Sequence, residues 1–181
     1  MKMETLPVET ALEWVTAWTN LTWPVSWETA FAIRDRLGWT PYSEDGMLFT
    51  TVLTPPGEKH GGYMTDRDDS EFNGVEFPLA TRVIKGFKDE LTAPTTWAAY
   101  ESYVTALTKL FGEPRTTVNR RGAGNEYRQC EWYLPNGSSF SLGAQSGIID
   151  VSINSPEDTW ADLESQRLEE KYGPNWEELI N

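Results

Sequence analysis

The chain opens with apolar residues at three- and four-residue spacing: Val8, Leu12, Val15 and Trp18, with Glu9 and Glu13 between them and Pro7 just ahead. That period predicts a helix within residues 7–21, broken by Trp23-Pro24. Ser26 offers a cap for a second helix through Ala30, Phe31, Ile33, Arg34 and Leu37, and Gly38 stops it. Three β-rich runs follow: Met47-Leu48-Phe49-Thr50-Thr51-Val52-Leu53, closed by Pro55-Pro56-Gly57, then Gly62-Tyr63-Met64-Thr65, then Val75-Glu76-Phe77-Pro78-Leu79. They predict a meander of short strands, with the polar residues 66–74 as a loop between the last two.

From Pro94 the period is helical again. Trp97, Tyr100, Tyr103, Val104, Leu107 and Leu110 make an apolar stripe that closes at Phe111-Gly112-Glu113-Pro114. Strand-like segments at 116–118, 126–134, 139–142 and 148–153 come next. Arg121-Gly122-Ala123-Gly124-Asn125, Pro135-Asn136-Gly137 and Gln145-Ser146-Gly147 separate them, which predicts an antiparallel meander. Ser155-Pro156-Glu157-Asp158 combines a cap, a first-turn proline and acids at the positive end of the helix dipole, so a last helix is expected up to Tyr172.

Helix followed by meander thus occurs twice, over residues 7–91 and 92–181. Either the chain holds a tandem α-then-β repeat, or generic helix-stop chemistry falls in the same order twice. Both give an α+β class, antiparallel meander sheet or sheets with helices packed on one face.

Length sets one domain, 1–181, as the expectation, because a chain of 181 residues is still in the range where a single core grows with size. Nine tryptophans provide that core without disulfides or metals. Acidic residues outnumber basic ones 28 to 15, a net charge of −13 that repels nucleic-acid phosphates and anionic membranes. Such an excess keeps a protein in solution or draws in a cationic partner, and composition leaves both open. The lone Cys130 excludes an intramolecular disulfide and a multi-cysteine zinc site, and in Tyr127-Arg128-Gln129-Cys130-Glu131-Trp132 it reads as a small buried hydrophobe. Met1-Lys2-Met3-Glu4-Thr5-Leu6 has no apolar signal core, and no run approaches the roughly 18 apolar residues of a spanning helix, so a cytoplasmic location is expected.

Candidate chemistry is sparse. His60, the only histidine, lies in a glycine-flanked loop and reads as a surface residue. No nucleophile elbow, phosphate-binding loop or metalloprotease helix motif occurs, and Gly122-Ala123-Gly124 lacks the third glycine of a dinucleotide fingerprint. No cofactor is expected. Asp66-Arg67-Asp68-Asp69-Ser70-Glu71 begins like a calcium loop, but Glu71 replaces the required glycine and Phe77 the bidentate glutamate. What remains is a solvated acidic loop, a weak divalent site, or a carboxylate pair for acid–base work. Arg115, Arg120, Arg121 and Arg128 form a basic concentration that either grips an anion or pairs with local carboxylates.

Trp14, Trp23 and Trp27, then Arg36-Leu37-Gly38-Trp39, the long helix closing in Leu110-Phe111-Gly112-Glu113-Pro114, Cys130-Glu131-Trp132 and Ile149-Asp150-Val151-Ser152-Ile153 stand in an order of their own. That order resembles a family of small actinobacterial proteins of unknown function, which in turn resemble the immunity partners of secreted polymorphic toxins. The resemblance implies a cytosolic antidote that blocks a toxin's active site before export, as the inhibitor of a NAD-degrading necrotizing toxin does. It supplies no catalytic residue. The expectation is a non-enzymatic protein binder, monomeric when free, whose partner is a basic toxin domain. Its contact elements are expected in the acidic loop, with Asp66, Asp68, Asp69 and Glu71, and in the exposed aromatics Tyr63 and Phe72. A secretion chaperone and a small-substrate enzyme using Asp68, Asp69 or Glu71 with His60 are the alternatives.

Overall fold

A computed structural model describes residues 2–68, 70–122 and 126–179. Helix α1 (Val8–Thr19) turns through the cis Trp23-Pro24 bond into α2 (Trp27–Arg36), where Ser26 Oγ accepts from the Thr29 amide at 3.1 Å. Strands β1 (Thr40–Pro41), β2 (Leu48–Thr50), β3 (Gly62–Arg67) and β4 (Glu71–Pro78) form the first meander. The long helix α3 (Thr92–Phe111) leads to β5 (Thr116–Arg120), β6 (Tyr127–Tyr133), β7 (Ser139–Gln145) and β8 (Ile148–Asn154), then α4 (Pro156–Tyr172) and a 3-10 turn at Trp176–Leu179.

The eight strands make one antiparallel sheet in the order β1-β2-β3-β4-β8-β7-β6-β5. The two meanders join where β4 pairs with β8, Gly74 opposite Asn154 through Pro78 opposite Asp150. Alternation along the strands sends Phe77, Val151, Ile153, Phe140, Leu142, Cys130 and Trp132 to the face covered by α1 and α3, where all are buried. Ser139 points the other way, and its hydroxyl meets Thr159 of α4 at 2.8 Å. The fourth helix therefore lies on the opposite face, called outer below.

Tryptophan organises the first half of this core. Trp39 stacks on Phe49 at 4.6 Å and meets Trp14 edge-on at 5.0 Å, while Trp18 stacks on both Trp39 and Phe72. Such pairs contribute beyond their area, each on the order of 1 kcal/mol. In the second half, Trp132 stacks on Phe140 and its indole N–H donates to the Gly112 carbonyl at 2.9 Å, tying β6 to the end of α3. The N-terminal segment is fastened by Leu6 N–H to the Leu79 carbonyl and Thr81 N–H to the Glu4 carbonyl.

Two expectations are corrected. Residues 66–74 are not one loop: Asp66 and Arg67 belong to β3 and Glu71 through Gly74 to β4, and the Ser70 N–H bonds the Arg67 carbonyl at 3.0 Å. Their polarity reflects a solvated strand face, and their backbone pairs across the hairpin, Asp66 with Phe72 and Arg67 with Glu71. Conversely, the strand expected over 47–53 shrinks to Leu48–Thr50, because Thr51 starts a turn closed by Thr54 N–H on the Thr51 carbonyl.

Candidate functional site

The β3–β4 hairpin carries the residues that the sequence nominates. Asp66, Asp68 and Glu71 are exposed, Asp68 in the left-handed region with φ of 49°, while Asp69 lies outside the described residues. Phe72, expected as an exposed contact, is only 3% accessible. A β-bulge explains it. The register shifts between Thr65 and Asp66, so that Phe72 as well as Val75 turns towards the helices. There the Phe72 ring packs against Trp18, Trp23 and Trp27, all at 5.6–5.7 Å.

Where the hairpin meets the α1–α2 connection and the start of α4 there is a cleft of about 530 Å³, lined by Trp23, Pro24, Arg67, Glu71, Phe72, Asn136 and Glu157 among others. Polar ties build its walls. Asn136 donates to the Leu21 carbonyl at 2.9 Å, Ser155 Oγ donates to Asn73 Oδ1 at 2.6 Å, and Asn73 donates to Asp158 at 2.6 Å. Arg67 pairs with Glu157. These side chains cap, pair and brace; none forms a nucleophile–base pair.

Tyr63 lies apart from that cleft, on the outer face, at 39% exposure. One cross-strand row runs from Leu48 through Tyr63, Glu76, Ser152 and Ser141 to Glu131. Tyr63 Oη donates to Glu76 Oε2 at 2.7 Å, and that bond to a carboxylate pushes the phenol up to about 12. Arg82 bonds Asp150 at 3.1 Å and approaches Glu76 at 3.9 Å, so two carboxylates share one guanidinium. Burial, and then the charge of Glu76, raise the Asp150 carboxyl above its ordinary value, with Arg82 opposing. Beside them a pocket of about 210 Å³ is lined by Tyr127, Ser141, Gly143, Asp150 and Ser152, and one of about 200 Å³ reaches from Tyr63 to Asp158 on α4. The row is an acidic, half-buried trough.

His60 does not join the hairpin carboxylates. It precedes β3 and Asp68 follows it, so a six-residue strand holds them roughly 20 Å apart. The arginines at the second hairpin are largely committed to neighbours: Arg128 pairs with Glu101 and Glu126 and lies over Trp97, Arg121 reaches Glu126, and Arg115 lies over Tyr133. Cys130 is buried, with Tyr100 Oη 3.5 Å from its sulfur. Among the described residues no group of three His, Cys, Asp or Glu is placed to hold a metal ion, and no helix is long and apolar enough to cross a membrane.

Glu76, Arg82 and Asp150 escape a reading of the sequence because strand register, not chain proximity, brings them together. Their only local signal is polarity at alternate positions in Val75-Glu76-Phe77 and Ile149-Asp150-Val151-Ser152-Ile153. A family model matches residues 9–155, from the first turn of α1 to the cap of α4, and so spans the whole sheet that bears the trough. The chain belongs to DUF6301, a family of unknown function. The DUF6301 match leaves α4 outside its limits. No curated protein and no solved structure shows significant similarity to the chain.

Proposed function

We propose that this protein is a non-enzymatic inhibitor, a cytoplasmic immunity protein that neutralises a secreted toxin by covering its active site. The observation that carries this reading is the outer trough, where Glu76 and Asp150 share Arg82 and leave a half-buried negative charge open to a cation. A partner's lysine or arginine entering there completes the pairing, which is worth more in a recessed site than on an open surface. The net charge of −13 steers a basic domain towards the molecule, and Tyr63 and Tyr127 provide aromatic surface beside the acids. The exposed acids of the hairpin, Asp66, Asp68 and Glu71, extend the same field.

The test is co-expression with a basic toxin domain encoded beside this protein, reading growth and the affinity of the purified pair at two salt concentrations. Protection from growth arrest, affinity that weakens with salt, and a loss of roughly tenfold or more in Glu76→Lys are expected. Failure to protect against every neighbouring toxin sinks the reading.

A further inference from the structure

Along β4 three concavities follow one another. The trough pocket of about 210 Å³ and the pocket of about 200 Å³ between Tyr63 and Asp158 share Glu76 and Ser152, and the latter meets the cleft of about 530 Å³ at Asn73. One groove therefore leaves the middle of the outer face and runs towards the β3–β4 turn. The first turn of α4 walls it: Asp158 lines the middle pocket, and Ser155, Pro156 and Glu157 line the cleft. That wall is fixed to the strand, since the Ser155 N–H bonds the Asn73 carbonyl at 2.9 Å and Asn73 Nδ2 donates to Asp158 at 2.6 Å.

Five carboxylates line this groove, those of Glu71, Glu76, Asp150, Glu157 and Asp158, and Arg67 is the single cation among its described lining residues. Two of the five are answered from within the chain: Arg67 pairs with Glu157, and Arg82, just outside the groove, bonds Asp150. Glu76 lies 3.9 Å from Arg82, and among the described residues no cation lies within ion-pair distance of Glu71 or Asp158. The side chains of Glu76 and Asp150 are only 30% and 24% exposed, so their charge is screened less than that of a solvated face.

We propose that this groove docks an extended basic segment of the partner, with Lys or Arg at alternate positions along it. The proposal rests on the reading that the trough takes a cation from that partner, and adds the form of what carries it. Charge decides the sign of the occupant, because the two guanidiniums leave most of the five carboxylates unanswered. Shape decides its conformation. A helix, about 10–12 Å across with its side chains, is too wide for pockets of about 200 Å³, whereas an extended chain sends every second side chain to one face. From Glu71 to Glu76 the strand covers roughly 17 Å at about 3.3 Å per residue, so a segment of about six to eight residues spans the groove. At the cleft, Trp23 provides a ring for a cation that lies beside Glu71.

Fluorescence anisotropy with two labelled octapeptides tests this on the full chain, one peptide alternating arginine with serine and the other holding the same residues in two blocks. The alternating peptide is expected to bind more tightly, with an affinity that falls as salt rises. Glu76→Gln combined with Asp158→Asn, and separately Glu71→Gln combined with Glu157→Gln, each weaken its binding by about tenfold or more. Glu9→Gln combined with Glu13→Gln, an equal change of net charge on exposed residues of α1, leaves it unchanged. Circular dichroism verifies the fold of each variant. Glu71 and Glu157 are both exposed, so the second pair decides if the first unfolds the chain. Equal affinity for the two peptides, an equal loss in the α1 pair, or spermine binding in place of either peptide overturns the proposal. Protection against a toxin without peptide binding overturns the docked segment alone, and groove-dependent peptide binding without protection against any toxin sinks the inhibitor reading alone.

Discussion

Phe72 occupies the point where three tryptophans from α1, α2 and the connection between them meet the sheet. Removing its ring leaves a void that three rigid indoles cannot close by rotamer changes alone. Phe72→Ala is therefore expected to cost about 3–5 kcal/mol, read as a lower urea midpoint at unchanged slope. Asp150 makes a prediction of different kind. Its carboxyl is held above the ordinary 3.8, so from 3.8 up to the raised value the native state keeps a proton that the unfolded chain has lost. Stability falls as pH rises through that window and levels off above it. Asp150→Asn keeps an acceptor for Arg82 and removes the titration. Urea unfolding between pH 4 and 7 is expected to show the wild type losing ground against the variant as pH rises; a constant difference refutes the assignment. Asp162, raised by burial and by Asp158, titrates equally in both proteins and cancels.

Helix α4 is held mainly by its first turn. Only Thr159 within it is buried, and Trp160 stands out in solvent. Ser155 carries the attachment: its hydroxyl accepts from the Asp158 N–H at 3.1 Å and donates to Asn73, while its own N–H reaches the Asn73 carbonyl at 2.9 Å. Ser155→Ala is expected to cost about 1–2 kcal/mol and to lower amide-exchange protection across α4 without changing α3. Equal loss in both helices argues that α4 is not a separately tethered element. The cap was legible from Ser155-Pro156-Glu157-Asp158, as were Ser26 and the periods of α1 and α3, because these signals are local. Strands β5 to β8 were legible too, from alternating residues between glycine-bearing turns. The distal part of the β3–β4 hairpin, residues 66–74, was not, since its outer residues are polar for solvent and the bulge breaks the alternation that would mark Phe72 as buried. Of the candidate site, Tyr63 was legible as an exposed aromatic. Glu76 and Asp150 were not, because about seventy residues separate partners that a single register joins.

At the scale of the molecule the sheet reads the same from either edge: four strands run inward to β4, and four run inward to β8. Such an order suits two α-then-β units placed edge to edge, yet the side chains do not respect the division. Phe77 of β4 and Val151 of β8 face each other across the join, both fully buried, and Tyr103 of α3 donates to the Leu6 carbonyl of the N-terminal segment at 2.7 Å. Helices α1 and α3, one from each half, also pack on each other. The buried side chains of both halves form one cluster, so neither half closes a core of its own. The molecule is therefore expected to unfold in one step. Indole emission reports both halves, through Trp14, Trp18, Trp23, Trp27 and Trp39 in the first and Trp97, Trp132, Trp160 and Trp176 in the second, whereas far-ultraviolet dichroism reports all helices, α3 most strongly. The two urea transitions should coincide, and Phe77→Ala in one half and Val151→Ala in the other should each move both curves together. Two-phase curves, or a Val151→Ala shift confined to one phase, show instead that residues 7–91 and 92–181 are independent folding units held side by side.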